Sequence, residues 1–203
     1  MPDFSIFNNL SIKTVFIGQG IDSLLAQINT EQDYMIALFD SEKRGVIWIT
    51  DDVTAGHCVF VSDTYGVNKD KLLKVFNPNI KTLFLWHIDG VMFTKYSKCD
   101  CALLHDRLMH LIEFKANAKN ESDDSIQANY EKASEQLALT FEKFEELYKN
   151  HGQDIFRVFD DIDAMIVFDR TVPQDDAYQK NIVSKFSNRT LLKLSFGNEL
   201  KIE

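Results

Sequence analysis

Cysteine is scarce: Cys58, Cys99 and Cys101 make an odd three in 203 residues, too few for a disulfide framework, and that usage points to a reducing cytoplasm. Long apolar runs are missing too. None approaches the roughly 20 residues needed to cross a bilayer, so no membrane partner is expected. The first residues, Met-Pro-Asp-Phe-Ser, lack the basic stretch leading into an apolar one that marks a secretory signal. Positive charge is in deficit: 22 Lys and Arg against 31 Asp and Glu leave a net −9. That is the reverse of the basic stripe by which simple nucleic-acid-binding modules hold phosphates. An acidic protein can still act on nucleic acid if its basic residues gather beside the site, and Lys180, Lys185, Arg189 and Lys193 are the candidate cluster. Internal repeats, low-complexity segments and an interdomain linker are also absent.

What is present is an ordinary globular composition, 45% hydrophobic and 26% charged with 16 Phe, enough for one sizeable core without staples. The chain reads as a single domain over 1–203, with 1–66 an N-terminal strand-rich elaboration and 67–203 the core. Strands are expected at 14–17, 34–39 and 46–50, the last two as a hairpin, and another at 57–61. The Gly18-Gln-Gly20 stretch lacks the further glycine and the Gly-Lys-Ser/Thr ending of a phosphate loop and is read as a turn before a helix over 23–28. Residues 68–76 read as a short helix stopped by Asn77-Pro78, followed by strands over 80–88 and 91–94 around Asp89-Gly90.

The clearest element is a helix over 122–149. Ile126, Tyr130, Ala133, Leu137, Phe141, Phe144 and Tyr148 recur at three- and four-residue steps, acids stand at its start, and Gly152 is a C-terminal cap. That stripe packs on a sheet or, alternatively, on a second copy of the helix. A strand over 164–168, a helix over 174–187 and a terminal hairpin of 191–196 with 201–202 complete the order, which suits a mixed α/β sheet flanked by helices. Asp160, Asp161 and Asp163 lack the Gly and distal Glu of a calcium loop and read as a solvated strand start.

Chemistry is concentrated in Lys98 to Lys115. Apolar residues fill 102–104 and 108–112 around polar His105-Asp106-Arg107, the pattern of a hairpin. With His105 facing Leu108, counting outward sets Asp100 opposite Glu113, and Lys115 shares their face because strand side chains alternate. Two carboxylates held opposite each other repel unless something lies between them, and a hard divalent cation is the natural occupant. An ammonium at the same place can orient a water or neutralise charge developing on a phosphoryl group. The plainer reading makes Asp100 a strand-start residue and Glu113 and Lys115 a solvated surface pair.

An Asp on the first strand, Glu-x-Lys ending the second and a long helix after them resemble the PD-(D/E)XK nuclease superfamily, the restriction-endonuclease-like fold, over about residues 80–170. The resemblance implies Mg²⁺ or Mn²⁺ held by Asp100 and Glu113, with Lys115 assisting the attacking water. It also implies a helix residue facing the site, for which Lys132 and Gln136 are placed, and an accessory acid from upstream, for which Glu31 is the candidate. Cys99 stands where the family has a weakly kept Pro. DNA or RNA is then the expected partner and metal-dependent phosphodiester hydrolysis the expected activity. Two alternatives stand beside it: a catalytically silent nuclease-fold interaction or regulatory protein, and a helix-mediated homodimeric structural protein.

Other constellations are weaker. Cys99 and Cys101 with His105 and His110 invite a zinc reading, but histidines of opposite sequence parity are not expected to surround one ion. His87 with Asp89 reads as a core histidine beside a turn.

Overall fold

A computed structural model of the chain describes residues 9–16, 36–38, 46–61, 71–79, 81, 83–89, 97–115, 123–168 and 177–203. Their strands are β1 (Ile36–Leu38), β2 (Val46–Asp52), β3 (His57–Val61), β4 (Leu73–Phe76), β5 (Phe84–His87), β6 (Cys101–His105), β7 (Leu108–Phe114), β8 (Asp161–Val167), β9 (Lys193–Phe196) and β10 (Glu199–Lys201). The helices are α1 (Ile12–Val15), α2 (Asp123–Asn150), α3 (Ile155–Val158) and α4 (Ala177–Thr190).

Two mixed sheets result. The larger runs β1-β5-β6-β7-β8-β9 and the smaller β10-β4-β2-β3. In the larger sheet β1, β5, β6 and β7 pair antiparallel in turn, whereas β8 joins β7, and β9 joins β8, in parallel. Parallel neighbours need a crossover, which α2 supplies before β8 and α4 before β9. Among the described residues no helix is long and apolar enough to cross a membrane.

The near-continuous apolar sequence of β5 to β7 follows from cover on both faces. Phe84, Trp86, Ala102, Leu104, Met109 and Leu111 point at the helices, where Phe16 and Phe144 wedge against Trp86 with ring centroids 5.0 and 5.3 Å from it. Leu85, Leu103, Ile112 and Phe114 point the other way, onto Ile47, Ile49, Leu73 and Val75 of the smaller sheet. The α2 stripe is buried in the first of these cores, with Tyr130, Ala133, Leu137, Phe141, Phe144 and Tyr148 all at or below 2% exposure, so its apolar face is used within the chain. Gly152, at φ 72°, closes the helix as its cap.

Four expectations change. Ile12, Val15 and Phe16 stand at helical steps on the core, so Thr14 to Phe16 belong to α1 and its end, not to a strand. Residues 73–76 form a strand: Leu73 and Val75 are buried and Lys74 and Phe76 are not, and pairing with β2 and β10 outweighs the local helical pattern. β1 and β2 are no hairpin, because β1 pairs with β5 while β2 joins the other sheet. The C-terminal strands part company as well: β9 lies on β8, the chain turns at Gly197 (φ 150°), and β10 pairs parallel with β4. The expected turn and helix over 18–28, the strand over 91–94 and Glu31 lie outside the described residues.

Candidate functional site

The β6–β7 hairpin positions the site by register. His105 pairs with Leu108 and Cys101 with Ile112, across a two-residue loop in which Asp106 takes φ 49°. Asp100 therefore sits opposite Glu113 just beyond the ladder, and its N–H donates to the Ile112 carbonyl at 3.2 Å. The Asp100 carbonyl accepts from the N–H groups of Ile88 and Asp89 at 3.2 and 3.1 Å, and its carboxylate Oδ2 accepts from the Phe114 N–H at 2.6 Å. The backbone is pinned on both flanks.

From the other side α2 reaches down onto the segment 97–100 that leads into β6. Gln136 Nε2 donates to the Lys98 carbonyl at 2.8 Å, and Thr140 Oγ1 accepts from the Cys99 N–H at 2.8 Å while donating to the Gln136 carbonyl. These side chains satisfy buried peptide groups for which the sheet provides no partner.

On this helix-facing side Lys115 Nζ donates to Glu113 Oε1 and, at 3.2 Å, to Gln136 Oε1. Glu113 is 1% exposed, so it is no solvated surface residue, and its second oxygen, Oε2, is buried without a hydrogen-bond partner. Burial first, and then the charge of Asp100, push the Glu113 carboxyl well above its ordinary range despite Lys115. Burial likewise pushes Asp100 up to about 7; the Phe114 N–H opposes this and Asp51 adds to it. Both groups are thus short of positive charge. Among the described residues no three His, Cys, Asp or Glu side chains form a ready-made ion cage. The donor set is nevertheless of the kind Mg²⁺ accepts, one or two hard carboxylates with water filling the remainder.

Of the expected residues, Asp100, Glu113, Lys115 and Gln136 therefore meet at one place. Lys132, one turn earlier on α2, is exposed and takes no part in the bonds joining them. Comparison with protein-family models, with curated proteins and with solved structures returned no match to the chain.

Three further charged residues belong to it. Lys98, only 8% exposed, bonds Asp89 at 3.1 Å, and Asp51 and Asp89 both act electrostatically on Asp100. Asp51 was visible in the alternation Ile47, Ile49, Asp51, which sets it on the face of β2 turned to the larger sheet. Beside it, Cys58 hydrogen-bonds Cys101, and burial raises both thiols, which leaves them poor nucleophiles.

At the opposite end of the hairpin the parity argument about the histidines fails. Odd positions on β6 oppose even positions on β7, so His105 and His110 share a face, with Nε2 atoms 3.1 Å apart. His110 Nδ1 lies 2.7 Å from Asp163 Oδ1, which makes Asp163 a partner of the sheet and not merely a solvated strand start. Burial and the neighbouring ring lower His105 to about 4, so its imidazole is neutral at ordinary pH. His87, 4% exposed, stacks on His57 at 4.3 Å. In the expected basic cluster, Arg189 is committed to Glu135 and Glu142 of α2 at 2.6 and 2.5 Å.

Proposed function

We propose that the chain is a metal-dependent phosphodiesterase of the PD-(D/E)XK kind acting on DNA or RNA. In this reading β5, β6, β7, α2 and β8 are its restriction-endonuclease-like core. The observation that carries the proposal is Glu113 Oε2, a carboxylate oxygen buried without a partner beside a second carboxylate whose pKa is also raised. Such an arrangement stays strained until a proton or a cation enters.

Asp100 and Glu113 would hold Mg²⁺ or Mn²⁺. When bound, the ion supplies Lewis-acid activation of water and of the phosphoryl group. The chain's own residues do the rest. Of the three N–H donors on the Lys115 ammonium, Glu113 and Gln136 take two, and the third remains to orient a water or to meet negative charge on phosphate. Gln136 fixes where that donor points because its amide nitrogen is tied to the Lys98 backbone.

The test is cleavage of single- and double-stranded DNA and RNA in Mg²⁺ and in Mn²⁺, comparing the native chain with Asp100→Asn and Lys115→Met. The expected result is metal-dependent cleavage of at least one polymer, lost in both variants. Failure on every polymer by a chain that still binds Mn²⁺ would favour a catalytically silent regulatory protein of this fold. A specific observation speaks for that second reading: one oxygen of Asp100 is already committed to the Phe114 N–H.

A further inference from the structure

We propose that His105 and His110 form an acid-sensitive latch between the β6–β7 turn and β8: the closed pair accommodates three ring protons and not four, and entry of the fourth opens this end of the hairpin. The inference stands apart from the metal-dependent reading above and uses none of the residues assigned to it.

Geometry fixes the proton count. The two Nε2 atoms are 3.1 Å apart and the ring centroids 5.3 Å apart, with the planes inclined by 19°, so the imidazoles meet nearly end to end. A zinc ion between nitrogens arranged in that way would need about 4 Å. At 3.1 Å the gap holds one proton, donated by one ring and accepted by the other. Two fully protonated rings would set two N–H groups head on, so at most three of the four ring nitrogens carry hydrogen while the pair is closed.

The outer nitrogens show where those protons lie. His110 Nδ1 is 2.7 Å from Asp163 Oδ1, which holds a proton on that nitrogen. His105 Nδ1 is buried without a hydrogen-bond partner and lies 3.6 Å from Asp106 Oδ2. With both rings neutral, His110 Nε2 is therefore the acceptor, His105 Nε2 the donor, and His105 Nδ1 bare. A third proton completes the chain from Asp163 through both rings to Asp106. A fourth has no place. Its cost falls on His105, 1% exposed, whose imidazole is held down to about 4 by burial and by the His110 ring.

The surroundings make the pair a tie between elements. Asp106 belongs to the turn, at φ 49°, and Asp163 to β8, where it stands opposite His110. Lys81, ahead of β5, bonds Asp106 at 3.0 Å and donates to the Glu203 carbonyl; its charge opposes protonation of His105, whereas Asp106 favours it. Lys193 of β9 stands across the ladder from Asp163, and Asp161 across from Leu108. Arg107 bonds Asp160 at 2.8 Å and the Arg157 carbonyl at 2.7 Å, an exposed tie to the same region. On the same face of the sheet Leu103 and Ile112 continue into the apolar intersheet core. In an opened hairpin both rings reach water and each takes up a proton at the ordinary value. Stability contributed by the closed His105 is therefore fully present above 6.5 and is lost as pH falls toward 4.

The experiment uses the full chain in chelator. Heteronuclear NMR of the histidine rings from pH 8 to 4 reads the protonation of each nitrogen. Hydrogen exchange, corrected for intrinsic rates, reads opening at the amides of 105–110 and 161–163. Expected is a coupled titration in which the last proton enters His105 only as the locally open population climbs, by up to about tenfold per pH unit. Asp163→Asn keeps an accepting oxygen but loses the charge that favours the third proton, and should move opening to higher pH. His105→Leu removes the fourth proton and should leave exchange at these amides independent of pH over the range. Asp100 and Glu113, at the other end of the hairpin, favour the folded chain on acidification, so global stability moves the opposite way and local exchange isolates the latch. Independent titration of both rings near 6.5, unmoved opening in Asp163→Asn, or an unchanged pH dependence in His105→Leu overturns the inference. Should a variant not fold, the ring titration of the native chain decides alone.

Discussion

Asp100 is the residue at which the local electrostatics leave a measurable mark on stability. Its folded pKa of about 7 lies above the ordinary 3.8, so between those values the folded chain binds a proton that the unfolded chain does not. Stability from this group is therefore fully present below about pH 4 and is lost as pH rises through 7, at about 1.4 kcal/mol per unit and a few kcal/mol in all. Glu113, shifted in the same direction, steepens the fall. Urea unfolding in chelator from pH 4 to 8 should show declining stability, with a flatter profile for Asp100→Asn; a rise across that window in the native chain would refute the account. Gln136 offers a second test. Gln136→Ala leaves the Lys98 carbonyl without its partner and releases Lys115, costing about 1–2 kcal/mol of stability. If the proposed phosphodiesterase activity is present, the variant should also lower it by up to about a hundred-fold through mispositioning. Mn²⁺ affinity should hardly move, because Gln136 bonds the ammonium and not the two carboxylates.

Among elements, those whose pattern reflects their own burial were legible. The β6–β7 register follows from two apolar runs about a polar centre, and it alone predicts that Asp100 opposes Glu113. The α2 stripe, the β3 span and the C-terminal cap at Gly152 were likewise readable from spacing. What could not be read is pairing between segments far apart in the chain. Nothing near Leu73 announces that β2 and β10 will flank it, and nothing near Leu200 separates it from Phe196 into another sheet. The same limit hid Asp51, whose inward face was legible but whose neighbour across the intersheet gap was not. Contacts between α2 and the segment leading into β6 belong to this class, and they carry a prediction. Thr140, 1% exposed, is the acceptor for the Cys99 N–H. Thr140→Val keeps shape but leaves that buried donor unpaired, at a cost of about 1–3 kcal/mol. Since Cys99 precedes Asp100, Mn²⁺ affinity should fall with it, whereas Thr140→Ser, which retains the hydroxyl, should restore both in thermal melts and titration. Loss of stability without loss of affinity would show that the helix supports this segment without aiming the carboxylate.

The molecule as a body is three layers, helices, larger sheet and smaller sheet, and the third layer is closed by residues from the far end of the chain. β4 would be an edge strand were it not for β10, which covers it through the pairing Glu199↔Lys74 to Lys201↔Phe76 and the bond from the Ile202 N–H to the Phe76 carbonyl. Ile202, 1% exposed, then sits in the intersheet core with Val75, Leu85 and Leu103. A local C-terminal hairpin would tolerate truncation of this side chain, since it would be anchored only to its neighbours. The layered arrangement predicts the opposite. Ile202→Ala opens a cavity between the two sheets and should cost about 2–4 kcal/mol. In a chain of this size that lowers the melting temperature by roughly 5–15 °C. The damage should also travel, because β4 pairs with β2 over Val46 to Ile49. In hydrogen exchange, amides of 46–52 should lose protection along with those of 73–76, while those of α2, which faces the other side of the larger sheet, keep theirs under native conditions. Uniform loss across all three layers would mean that the smaller sheet does not open on its own and that the two sheets unfold as one unit.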